Sequence, residues 1–156
     1  MSKAADFDLA AAHRYFAADC FNRAWDLIEK KDRTEEDDRM MVALSYASIF
    51  HWTNRPDCDS RKLSVGYWQA SRVQALIGNP REAARLGGIC RSYSQGLPPF
   101  FVAYAHEALA RAHRLMGDRA ETERHLAEAQ RQLVLVKDEH DRNLLETDLQ
   151  QLAQPR

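Results

Sequence analysis

The stretch GYWQASRVQALIGNPREAARLGGIC, residues 66–90, decides the predicted fold. Apolar and small residues recur at helical spacing on both sides of Gly78-Asn79-Pro80. The glycine suits the left-handed position after a helix, and the proline suits the first turn of the next helix. Small residues follow where two helices must approach closely, namely Ala83, Ala84, Gly87 and Gly88. The stretch therefore predicts a helix, a tight turn and a second helix.

This plan is that of a tetratricopeptide (TPR) repeat, a helical hairpin of about 34 residues. A second copy is found when Gly78 is aligned with Gly117, because the small residue Ser71 then matches Ala110. We expect an all-α, TPR-like, right-handed stack of about three antiparallel helical hairpins plus a C-terminal capping helix. The sequence predicts a single domain over residues 1–156.

Seven helices are expected along the chain. The first two are predicted at about 6–30, capped by Asp6 or Asp8, and at 34–53, capped by Thr34. A break in the first helix is considered near 20–22, where the apolar stripe changes phase. The third and fourth helices are those of the stretch 66–90, and the fourth ends near Tyr93. The last three helices are predicted at about 100–116, 119–136 and 139–152. Longer loops are predicted at 54–62 and 94–99. The segment QLVLVK, 132–137, has strand-like composition but continues the helical period of the sixth helix.

The bulk composition is typical of a soluble globular protein. Of the 156 residues, 45% are hydrophobic and 29% charged, and the formal net charge is −1. This balance predicts no general attraction to nucleic acid or to an anionic membrane. No segment approaches the roughly 18 apolar residues that span a bilayer. The N-terminus does not resemble a signal peptide, and three widely spaced cysteines favour reduced thiols, so a cytoplasmic location is expected.

Four segments carry a resemblance to known proteins: FNRAWDLIEKKDRTEEDDRMM at 21–41, the pair at 51–52, GYWQASR at 66–72 and AHEALARAH at 105–113. With the spacing between them, they resemble a family of small, uncharacterised bacterial tetratricopeptide-like proteins. The resemblance implies the helical-repeat fold and implies no activity. The chain departs from the family pattern at Tyr46, where relatives tend to have a histidine, and at Pro99 and Phe101, where they tend to have acids.

The first helix of each hairpin lines the inner face of a TPR-like stack. By repeat position, this face receives Trp68, Arg72, Glu107 and Arg111. Two guanidinium groups beside an aromatic ring could hold a carboxylate or phosphate by paired hydrogen bonds. In the alternative interpretation, Glu107 pairs internally with Arg72 or Arg111 and only holds adjacent hairpins together.

A second candidate region is the end of the stack that carries the longer loops. Its predicted binding residues are His51, Trp52 and Tyr104, together with Trp68. The alternative interpretation makes His51 a structural residue that ties down the loop 54–62. No ligand spacing typical of a metal site and no catalytic motif is present, so no catalytic residue, metal or cofactor is predicted.

The predicted function is the binding of an unidentified protein or peptide, through the concave face or the aromatic loop end, and an enzyme is the less favoured class. The alternative function is a small-molecule or metal-binding sensor, or a minor enzyme, with a pocket near His51, Trp68 and Glu107. A homodimer is a third interpretation, based on the apolar residues Leu97, Phe100 and Phe101 near a loop.

Overall fold

The fold is all-α in a computed structural model that describes residues 4–155. No strand occurs within that range. It contains seven helices: α1 (Leu9–Glu29), α2 (Glu35–Thr53), α3 (Ser60–Leu76), α4 (Pro80–Ser94), α5 (Pro99–Leu115), α6 (Arg119–Leu133) and α7 (Glu139–Ala153). In the part of the chain that the structure covers, no helix combines the length and apolar character needed to cross a membrane.

The chain divides into two compact units, residues 1–59 and 60–156. In the first unit, α1 packs against α2. Helix α1 is capped by Asp8 and runs without a break through 20–22, because its buried residues stay on one face: Ala17, Cys20, Ala24 and Ile28. Helix α2 begins with the predicted cap at Thr34, which exchanges two hydrogen bonds with Asp37.

The second unit contains the helix-turn-helix stretch that the sequence singled out. Gly78 adopts the left-handed conformation, with φ of +79°, between α3 and α4. The two helices then approach closely where small residues meet: the hydroxyl of Ser71 donates to the carbonyl oxygen of Ala83 at 2.7 Å, and both residues are buried. The predicted turn and close helix contact are confirmed.

Each helix of the second unit packs against helices close to it in the chain. Helix α3 contacts α4 and α5, α4 contacts α5, and α5 contacts α6 and α7, which also contact each other. The main apolar cluster lies among α5, α6 and α7 and is built from Ala103, Ala129, Leu133, Val136, Leu145 and Leu149. Helix α5 therefore has neighbouring helices on several sides, and a polar side chain such as that of Glu107 is buried from solvent.

Two helix boundaries differ from the prediction. Helix α6 ends at Leu133, not near 136, because two tight-turn hydrogen bonds after it carry Val136 into the apolar cluster while Val134 stays exposed. Helix α3 begins at Ser60, inside the predicted loop 54–62 and directly after an aspartate, a residue type favoured at helix starts.

Candidate functional site

The second unit brings together all four residues that the sequence predicted for the inner face, and adds Tyr104, which was predicted for the loop end. Helix α3 supplies Trp68 and Arg72, which lie one helical turn apart. Helix α5 supplies Tyr104, Glu107 and Arg111 at matching spacing. Because α3 packs directly against α5, these five side chains form one polar cluster, which we call the Arg72 site.

Glu107 is the fully buried centre of the Arg72 site. The indole nitrogen of Trp68 donates to its Oε2 at 2.9 Å. The guanidinium of Arg111 donates to its Oε1 from Nε, at 3.0 Å, and also from Nη2. The interpretation that Glu107 pairs internally with Arg111 is confirmed, and the hydrogen bond from Trp68 joins α3 to α5.

Arg72 differs from the other members because, within residues 4–155, no acid pairs directly with its charge. Its Nε and Nη1 atoms are buried and make no hydrogen bond within residues 4–155. Its guanidinium carbon lies 6.0 Å from the centre of the Trp68 ring, a weak cation–π contact. Burial lowers the pKa of Arg72, and the nearby charge of Arg111 lowers it further, while Glu107 opposes both. An arginine nevertheless stays protonated in proteins, so the site holds a cation with unused donors.

Tyr104 closes the aromatic side of the Arg72 site. Its ring meets that of Trp68 edge to face, with 5.2 Å between the ring centres. Its hydroxyl donates to Oδ2 of Asp148, on α7, at 2.9 Å. Burial raises the pKa of the Tyr104 hydroxyl, and the charge of Asp148 raises it further, so the hydroxyl remains a proton donor at neutral pH.

Asp148 is a member of this site that sequence reasoning missed. It lies between Leu145 and Leu149 on the face of α7 that packs inward. Helical spacing could have identified it. Asp148 follows Leu145 by three residues, and residues three apart in a helix lie on the same face. The prediction treated α7 only as a capping helix.

His51 lies in the first unit and is paired with a second histidine. Its Nδ1 lies 2.8 Å from Nδ1 of His13, on α1, and its ring also contacts Phe16 and Phe50. Burial lowers the pKa of His51, and the charge of a protonated His13 lowers it further. His51 therefore has the structural role of the alternative interpretation, but it holds α2 to α1, where that interpretation expected it to hold the loop 54–62.

Trp52, the neighbouring predicted residue, lies beside the loop that follows α2. The guanidinium of Arg55 stacks over its ring, 3.9 Å from the ring centre, and pairs with both carboxylate oxygens of Asp57 at 2.8 and 2.6 Å. This arrangement orders the start of the loop. The homodimer interpretation was based on Leu97, Phe100 and Phe101. These residues are half-buried in the second unit, and Phe100 packs against the main apolar cluster.

Comparison with known proteins finds no matching family model, no similar curated protein and no similar solved structure. What the Arg72 site can bind is therefore inferred from its own geometry. A buried cation with unused hydrogen-bond donors, set beside an aromatic ring, is suited to receive an anion.

Proposed function

We propose that this chain is a TPR-like binding module that recognises a carboxylate of a partner protein or peptide through Arg72. The observation that carries the proposal is the pair of buried nitrogen atoms of Arg72 that lack a hydrogen-bond acceptor within the described residues. A buried donor without an acceptor costs about 1–3 kcal/mol, and more when the group is charged. Because both atoms are shielded from solvent, the side chain must shift for a partner to supply the acceptor, and the new hydrogen bond then removes this cost.

The surroundings of Arg72 favour an acceptor from outside the cluster. Glu107, the acid of the same cluster, already accepts hydrogen bonds on both oxygens, from Trp68 and Arg111. Asp148 accepts the hydroxyl of Tyr104. Both acids are therefore engaged in other hydrogen bonds. Their charges reduce the free-energy cost of burying the Arg72 cation, although neither acid is hydrogen-bonded to it. A planar guanidinium matches the two oxygens of a carboxylate, which favours an acidic side chain or a chain terminus.

The packing of the second unit supports the TPR-like part of the proposal. In a stack of helical hairpins, each first helix packs against its own partner and against the first helix of the next hairpin. Helix α3 packs against α4 and α5, and α5 packs against α6. The binding residues come from α3 and α5, the two first helices, which are the helices that line the inner face of such a stack.

A binding experiment with peptides tests the proposal. Peptides that bind the full chain are selected from a random library, and each is remade with its acidic residues changed to the matching amides and its C-terminus amidated. We expect these neutral peptides to bind at least about tenfold more weakly, since a charge-assisted hydrogen bond contributes roughly 1.5–3 kcal/mol. The variant Arg72→Gln should lose the same factor for the acidic peptides and little for the neutral ones.

Arg81→Gln is the matched control, because Arg81 is an exposed arginine in the first turn of α4. It should leave the affinity for acidic peptides unchanged. Equal binding of acidic and neutral peptides, or equal loss in the two arginine variants, would contradict the proposal. Citrate and acetate form a separate arm: if they displace the peptides at low concentration, the site recognises a free carboxylate and the peptide chain adds little.

A further inference from the structure

A second cluster of titratable side chains lies between α5 and α6, outside the Arg72 site. His113, Glu121 and His125 each direct one metal-ligating atom towards the others, and these atoms all lie within 4.8 Å of one another. His125 is almost fully buried, with 2% of its surface exposed, and the other two are half-buried. Two imidazoles and one carboxylate form a ligand set that zinc uses in proteins.

The helical hairpin explains why these residues meet. Glu121 and His125 are four positions apart on α6, and therefore lie on one face one turn apart. His113 lies in the last turn of α5, and the chain reverses at Gly117, with φ of +75°, before α6 begins. The turn brings the end of α5 beside the first turns of α6, where the acid and the second histidine lie.

Arg124 contacts two of the three ligands: it donates to both oxygens of Glu121, and its Nη2 lies 3.3 Å from Nε2 of His125. The Nε2 atom of His125 lies 3.6 Å from Oε2 of Glu121, too far for a hydrogen bond. Its other ring nitrogen lies 2.9 Å from Nδ1 of His106, an outer contact of the kind that orients a ligating histidine. The Nδ1 atom of His113 is buried and makes no hydrogen bond within residues 4–155. It lies 3.6 Å from Oδ2 of Asp118, too far for a hydrogen bond.

We propose that His113, Glu121 and His125 bind a divalent transition-metal ion of the Zn²⁺ type. Zinc bonds nitrogen and oxygen at about 2.0–2.2 Å, which places tetrahedral ligand atoms roughly 3.3 Å apart. The present separations, none above 4.8 Å, therefore exceed those of a bound state by at most about 1.5 Å. The rings of His113 and His125 are inclined by 22°, so the His113 ring must turn for both lone pairs to meet at one ion. Its Nδ1 atom has no hydrogen bond to break in doing so, as far as residues 4–155 are concerned.

The burial of His125 favours metal binding, whereas the positive charge of Arg124 opposes it. Burial, more than any neighbouring charge, lowers the pKa of His125 to about 4, so its imidazole is neutral and able to ligate at pH 7. Arg124 competes with a cation, because it donates to both oxygens of Glu121, at 3.0 and 2.6 Å. Its side chain is 57% exposed and can swing into solvent when an ion takes its place.

Calorimetric titration of Zn²⁺ into the chelator-treated full chain tests the proposal. We expect one ion per chain, and at least about tenfold weaker binding in Glu121→Gln and in His113→Gln, because even outer-shell changes weaken metal sites by about 10–100-fold. Arg124→Gln should bind Zn²⁺ more tightly, because it removes the competing cation. Glu121 is 35% exposed, so its amide variant should fold normally, which circular dichroism checks.

His140→Gln is the matched control, since His140 is an exposed histidine on α7. Its affinity for Zn²⁺ should equal that of the unchanged chain. Substitution of Co²⁺ gives a second readout, because a four-coordinate cobalt site has a visible absorption that the Glu121 and His113 variants should lose. Absence of Zn²⁺ binding, equal binding by the Glu121 and His113 variants, or equal loss in His140→Gln would overturn the proposal.

Discussion

At the scale of single residues, Glu107 is a buried acid whose charge is matched by a partner on the same helix. We predict that Glu107→Gln lowers the free energy of unfolding by about 3 kcal/mol, because removing one member of a buried ion pair leaves the other uncompensated. The value lies at the low end of the usual range, since the Arg111 side chain keeps 18% of its surface exposed and can reach water. Urea unfolding followed by circular dichroism measures the change.

Glu123→Gln is the control for that prediction. Glu123 also pairs with an arginine four positions away on its own helix, but both side chains are largely exposed to solvent. Such surface pairs contribute little. A loss of stability in Glu107→Gln no larger than in this control would contradict the view that Glu107 holds α3 and α5 together.

The sequence predicted the residues of α3 and α5 in the Arg72 site but not those of the His113–Glu121–His125 cluster. Trp68, Arg72, Glu107 and Arg111 follow from repeat position, because each pair lies one turn apart on a helix that the sequence identifies. Sequence spacing did not show whether Glu107 would pair with Arg72 or with Arg111, since that depends on the positions of the side chains between the two helices. The histidine cluster was missed because its members come from two helices, and no standard metal-binding spacing joins them.

At the scale of helices, Gly87 and Gly88 of α4 give a matched pair of sites. A Cβ atom at Gly87 would meet the side chain of Leu109, on α5, at 3.2 Å, whereas a Cβ at Gly88 would meet no atom within 4 Å. We predict that Gly88→Ala raises the free energy of unfolding by about 0.5–1 kcal/mol, because alanine restricts the unfolded chain and favours the helix.

Gly87→Ala should gain less than Gly88→Ala, or should lower stability, because Leu109 must move to admit the new methyl group. Thermal and urea unfolding of the two variants beside the unchanged chain measure the difference. Equal stabilisation by both substitutions would show that α4 and α5 are not held as closely at this point as the structure has them.

Helix ends were predictable where local chemistry sets them. Thr34 and Asp8 are caps whose side chains bond the first turn of their own helix, so neighbouring sequence alone is sufficient. The end of α6 was not predictable in this way. The helix stops at Leu133 because burial of Val136 against α5 and α7 favours a turn, and such tertiary contacts leave no mark on the local period.

At the scale of the whole molecule, stability should depend on pH through its buried histidines. The pKa values of His51, His106 and His125 all lie below the ordinary 6.5, in each case chiefly because of burial. The unfolded chain therefore binds more protons than the folded chain below that pH. The histidine contribution is fully present above pH 6.5 and is lost as the pH falls towards 4.

We predict that the free energy of unfolding falls continuously between pH 6.5 and 4.5, with His125 alone contributing up to about 3 kcal/mol of the total loss. Urea unfolding in the presence of a chelator, at half-unit steps of pH, measures it. His51→Gln should flatten the curve in part, and His140→Gln should leave its slope unchanged. A stability that stays constant from pH 7 to 5 would contradict the burial of these rings.

The all-helical class and the number of helices between residues 4 and 155 agree with the sequence prediction. Amphipathic spacing and turn residues specify both, because each helix signals its own start and end within a few positions. A single domain over 1–156 stays a prediction, since the chain divides into two compact units. The division of a chain into units depends on contacts between helices, which local patterns do not record.

The order of packing in α3 to α7 has a consequence for how this unit forms. Each helix packs against one that lies next to it, or next but one, along the chain. Bringing such partners together closes only short loops, which costs little entropy and favours rapid folding. Helix α3 can therefore pair with α4 while α6 and α7 are still being synthesised, and each later helix meets a surface that is already in place.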